Sequence, residues 1–137
     1  MIKIIMGEEI IINPTIEVEE DLVQKAKEHV NIERQVIVHV VLRTNIAWWQ
    51  LRIWPSTFLI PKEGGGKSKL LNADKIPFYP QWLHIFGSSH RFTLIFEALP
   101  QDCSVFDLIE EIPQQGGFEA KGIQRNQSDV YHVEIRD

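Results

Sequence analysis

The sequence is poor in the residues that staple, anchor or target a chain. It has one cysteine, Cys103, in 137 residues. That excludes an intramolecular disulfide and any cysteine-based zinc knuckle. No apolar run approaches the roughly 18 residues that a membrane helix needs, so membrane insertion is not expected. Basic residues are outnumbered, 14 Lys and Arg against 19 Asp and Glu, for a net charge of −5. A general nucleic-acid binder needs the opposite balance. At the N-terminus Gly7, Glu8 and Glu9 interrupt the apolar start, which leaves no signal-peptide pattern. The expected location is cytoplasmic, with Met1 as a natural start and Met6 as an alternative one. The lone cysteine fits a cytoplasmic or an envelope location equally. The sequence also lacks internal repeats, an HExxH helix and a Gly-x-Ser-x-Gly elbow.

What is present is ordinary globular material. Hydrophobic residues make up 44% and charged residues 24% of the chain, a composition that excludes disorder and supplies a core. The length suits one domain spanning residues 1–137. Charge is unevenly spread. Residues 1–33 hold eight acids and three lysines and so carry the whole net charge, while the remainder balances at eleven of each sign. Such a segment reads as a solvated face, or less often as a surface for a basic partner.

Period-two alternation dominates the rest. Val36, Val38, Val40 and Leu42 form one apolar face, with Ile37, His39, Val41 and Arg43 on the other. Trp49, Leu51 and Ile53 alternate with Gln50 and Arg52, and Phe92, Leu94 and Phe96 alternate with Thr93. These are strand signatures. Shorter apolar segments at 105–109, 118–123 and 130–135 read as strands, as do 2–6, 9–12 and 15–18. Turn chemistry separates them, for example Pro100-Gln101-Asp102 and the stretch 126–129. One segment differs: Leu22, Val23, Ala26 and Val30 fall at helical spacing, which predicts a short helix near residues 19–29. Residues 81–86 fit a strand or a helical turn. Each strand needs a second apolar layer, and with little helix available that layer is another sheet.

The pattern Trp48-Trp49, Leu51-Arg52-Ile53, Ser56-Thr57-Phe58-Leu59-Ile60, then 69–77, and finally Phe92 to Pro100 leading into Phe106-Asp107-Leu108-Ile109-Glu110 resembles uncharacterised immunoglobulin-like β-sandwich domains of Bacteroidetes-type bacteria. The resemblance covers residues 48–125, and its best part is 92–110. It implies an all-β, antiparallel immunoglobulin-like sandwich and brings no catalytic or ligand-binding residue.

Candidate chemistry is sparse. Gly66-Lys67-Ser68 invites comparison with a phosphate loop, but Pro61 stands where the motif needs its first glycine and has no N–H to offer. The reading is a connecting loop. His39 and His132 sit in strand patterns that allow a cross-strand approach, and a metal site there would need carboxylates such as Glu97, Asp107 or Glu134. Asp102 and Asp107 disfavour a thiolate at Cys103. Glu110 and Glu111 point to opposite faces if extended and make poor acid–base partners.

Four tryptophans are the distinctive feature. Trp49 shares a face with Leu51 and Ile53. Trp48, Arg52 and Trp54 would share the other face if the strand runs unbroken, and that is the sharpest interaction surface in the sequence. The expected function is a non-enzymatic binding or interaction module, without cofactor or metal, that meets a protein partner or a second copy. A carbohydrate-binding module is the alternative, and a strand-borne metal or hydrolytic site is third.

Overall fold

A computed structural model of the chain describes residues 34–136. From Val36 onward these form one compact unit. The helix expected near 19–29 and the strands expected at 2–6, 9–12 and 15–18 lie outside the described residues. Within them are nine strands and no helix: β1 (Val36–Arg43), β2 (Trp48–Leu51), β3 (Thr57–Pro61), β4 (Ser68–Asp74), β5 (Leu83–Phe86), β6 (Ser89–Phe96), β7 (Val105–Glu110), β8 (Glu119–Gln124) and β9 (Val130–Arg136). No helix here is long and apolar enough to cross a membrane.

The all-β expectation holds, but the immunoglobulin-like sandwich does not. Seven strands form a single sheet in the order β8-β7-β3-β4-β6-β1-β9, and β2 and β5 pair as a separate ribbon. The large sheet is not purely antiparallel, since β1 runs antiparallel to β6 and parallel to β9. Its two edge strands are consecutive in the chain and joined only by residues 125–129. In a flat sheet those edges would lie about 29 Å apart, six spacings of about 4.8 Å. From Gln124 to Val130 the backbone reaches at most about 21 Å. The sheet therefore curls into a near-closed barrel and supplies its own second layer. Phe106 on β7 meets Tyr131 on β9 edge-on across the interior, with ring centroids 5.0 Å apart.

The alternation read at 36–42 is realised in full: Val36, Val38, Val40 and Leu42 are buried, and the residues between them are half-buried. Phe92, Leu94 and Phe96 join them in the core with Leu59, Phe106 and Leu108. On β6 the alternation breaks down, because Thr93 and Ile95 are buried as well. Thr93 is hydrogen-bonded to His39 at 2.8 Å. β4 carries little alternation, with only Ser68 buried. It is fixed by pairing with β3 and β6 rather than by an apolar face. Of residues 81–86, Leu83–Phe86 form strand β5.

A polar clamp holds the connection that closes the barrel. Arg125 Nε and Nη2 donate to the two Asp129 oxygens at 2.7 and 3.1 Å. Its Nη1 donates to the carbonyls of Pro100 and Cys103 at 2.6 and 3.2 Å. The Tyr131 hydroxyl donates to Asp129 Oδ1 at 2.7 Å. One guanidinium thus ties the β8–β9 turn to the β6–β7 turn.

Candidate functional site

The interaction face read from the sequence assumed an unbroken strand from Trp48 to Trp54. β2 ends at Leu51, and Ile53 makes only an isolated bridge to Phe78. Arg52 and Trp54 therefore lie beyond β2, although Arg52 meets Trp82 where the Trp48–Phe86 and Gln50–His84 register would continue.

Trp48 stays on the ribbon. It is 54% exposed, and its register partner across the ribbon, Phe86, is 79% exposed. The two rings lie 6.5 Å apart, and Trp48 also stacks on His84 at 6.1 Å.

Arg52 and Trp54 instead join residues from the segment before β5. The Arg52 guanidinium lies 3.8 Å from the Trp82 ring centroid, 4.5 Å from that of Tyr79 and 5.8 Å from that of Trp54. Trp54 and Tyr79 stack at 4.0 Å. Each guanidinium contact is the attraction of a delocalised cation for an aromatic face. Arg52 also donates to the Pro80 carbonyl at 3.4 Å.

This cluster borders a cleft of about 470 Å³. Trp49, Trp54 and Trp82 line it, together with Leu51 from the ribbon and Leu42 and Ile135 from the barrel. The β7–β8 connection, residues 112 and 114–118, also lines it. Trp49 is fixed by its indole N–H, which donates to the Gly87 carbonyl at 2.8 Å.

Glu110 lies in the cleft lining and is only 7% exposed. Its Oε2 accepts the Trp54 backbone N–H at 2.8 Å and its Oε1 accepts that of Phe118 at 3.1 Å. The carboxylate therefore bridges the β2–β3 and β7–β8 connections. Burial pushes its carboxyl above the ordinary value, while the two backbone N–H groups and the Arg52 charge pull the other way. Glu111 points oppositely, as an extended strand requires, and pairs with Lys67 at 2.8 Å. Gly117 allows the connection to pass close to β7, because a Cβ there would collide with the Glu110 carbonyl oxygen.

Sequence reasoning considered Glu110 only as a poor acid–base partner of Glu111 and passed over Tyr79 and Trp82. The signal for Glu110 was present: it continues the inward face of Phe106 and Leu108, and a carboxylate on an apolar face is the informative kind of exception. Nothing local tied Tyr79 and Trp82 to Arg52, since only the pairing of β2 with β5 brings them together.

The other candidates are engaged elsewhere. His39 and His132 are register partners on β1 and β9, with rings 5.0 Å apart. Burial and the neighbouring His132 push the His39 imidazole below its ordinary value. Among the described residues no group of three His, Cys, Asp or Glu stands where it could hold a metal ion. Cys103 is buried in its turn, and burial, reinforced by the Glu63 charge rather than by Asp102 or Asp107, pushes its thiol up. Gly64, Gly65 and Gly66 take positive φ in the β3–β4 hairpin, and Lys67 is held by Glu111 and the Phe58 ring. Comparison with known proteins finds no matching family model, curated relative or solved structure.

Proposed function

We propose that the protein is a non-enzymatic binding module that takes its ligand in the cleft beside Arg52, Trp54 and Trp82. The observation that carries this reading is the convergence of an aromatic–guanidinium stack and a buried carboxylate on one cleft of about 470 Å³. Ligand sites are typically about 300–1,000 Å³, aromatic-walled, with a few placed polar groups. Glu110 supports the non-enzymatic part, because both of its oxygens accept backbone N–H groups and so hold the cleft's two sides together. The exposed Trp48–Phe86 pair stands apart from the cleft lining.

The test is a thermal-shift and tryptophan-fluorescence screen of the full chain against soluble saccharides, amino acids, nucleotides, organic acids and short peptides. At least one class should raise the melting temperature, since a ligand at a hundred times its Kd adds about 2.7 kcal/mol. Trp82→Ala, a change at a half-exposed ring, should remove the response and leave the unliganded fold in place. A flat response to every class overturns the reading, as does binding that Trp82→Ala leaves intact. Conversion of a bound compound to product overturns the non-enzymatic part.

A further inference from the structure

Resting on that reading, we infer that the cleft's ligand is a neutral saccharide. The argument starts from charge. The cleft lining holds two acids, Glu110 and Glu119, and two bases, Arg52 and Arg136, so no net charge selects an ionic ligand. Each of the four is also already engaged. Glu110 accepts two backbone N–H groups, and Glu119 pairs with Lys121 at 3.4 Å. Arg136 pairs with Glu134 at 2.8 Å, and Arg52 lies on the Trp82 face. The lining thus pairs its charges within the protein and leaves no excess of either sign facing the cleft.

Two chemistries remain on offer in the lining. The first is indole, from Trp49, Trp54 and Trp82, although Tyr79 stacks on Trp54 and Arg52 lies over Trp82. The second is primary amide, from Gln114 and Gln115, while the Gln50 amide already meets His84 at 3.4 Å. Gln114 and Gln115 are exposed and have no hydrogen-bond partner among the described residues. A ligand that matches both must present apolar faces to rings and groups at its rim that donate and accept. A pyranose does so: its C–H faces stack on aromatic planes, and its hydroxyls meet an amide that also donates and accepts. A phosphate or carboxylate only accepts, and an ammonium only donates.

The experiment is isothermal titration calorimetry of the full chain with neutral hexasaccharides: β-1,4- and β-1,3-linked glucose, β-1,4-linked xylose, β-1,4-linked mannose and β-1,4-linked N-acetylglucosamine. At least one should bind. Its Kd should change less than twofold between about 0.1 M and about 1 M NaCl, over which the Debye length falls from about 10 Å to about 3 Å. Replacing Gln114 and Gln115 together with alanine should weaken binding about tenfold, the cost of two modest hydrogen bonds. Trp82→Ala should weaken it at least as much, and Trp48→Ala, outside the cleft lining, should leave it unchanged. If charged compounds from the screen bind at the cleft and no hexasaccharide does, the saccharide inference falls and the binding reading stands. If no class of compound binds, both fall. Saccharide binding that depends on Trp48 and not on Trp82 or the two glutamines also overturns the inference.

Discussion

Substituting Asp129→Asn tests whether the barrel is closed by the clamp described above. Asp129 is buried at 2% side-chain exposure, and Arg125, its partner, is at 20%. Asparagine is nearly isosteric and tolerates the positive φ of 54° at this position, so the backbone has no reason to move. What changes is charge and hydrogen bonding. The carboxylate accepts from Arg125 Nε, Arg125 Nη2 and the Tyr131 hydroxyl. An amide offers one acceptor oxygen and turns an NH2 donor toward groups that themselves donate. Removing one member of a buried pair costs about 3–5 kcal/mol. Here Arg125 keeps the carbonyls of Pro100 and Cys103 and some access to water, which brings the expected loss to about 2–4 kcal/mol. That is a large part of the 5–15 kcal/mol that typically holds a domain folded. Urea denaturation followed by tryptophan fluorescence measures it, with Arg125→Met and the double variant completing a cycle. The double loss should fall short of the sum of the single losses by about 1 kcal/mol or more, as expected for groups in one network. A loss below about 0.5 kcal/mol, the range of surface changes, refutes the clamp, and strict additivity shows that the two residues act independently.

Leu94→Ala opens a cavity at a fully buried position between Phe92 and Phe96 and should cost about 2–5 kcal/mol by chemical denaturation, whereas a near-zero loss would place that face in water. Gly117→Ala drives a methyl group into the Glu110 carbonyl and should destabilise by about 1–3 kcal/mol, with full stability showing that the β7–β8 connection is not seated on β7. The raised Glu110 carboxyl means that the folded chain holds this proton to higher pH than the unfolded chain does. Its stabilising contribution is fully present below the ordinary value of 4.5 and is lost as pH rises through the raised folded value. Glu110→Gln cannot titrate and should flatten the stability profile over that interval, so an unchanged slope refutes burial as the dominant influence.

Particular elements show what could be read from the chain and why. The face Val36, Val38, Val40, Leu42 was legible because period-two burial leaves its trace in consecutive residues. β4 was not legible, since backbone pairing on both flanks defines it and side-chain burial scarcely marks it. On β6 the polar Thr93 made the second face read as solvated, whereas Thr93 and Ile95 are both buried. The tryptophan face was half legible: Arg52 and Trp54 do meet aromatic partners, but extending one strand from Trp48 to Trp54 ignored that β2 stops at Leu51.

The sequence by itself determined that the chain is strand-built, which residues of β1 and β6 turn inward, and where most of the connections fall. These are local consequences of side-chain period and turn chemistry, carried within a few consecutive residues. Only the tertiary structure decided what covers the apolar faces. Alternation shows that a face is buried but is silent about its cover, so a sheet closing on itself and two sheets facing each other leave the same trace in the chain. Pairing between distant segments settled the choice, and the same long-range pairing set Trp82 on Arg52 and turned Glu110, unremarkable beside Glu111 in the sequence, into the buried carboxylate of a cleft.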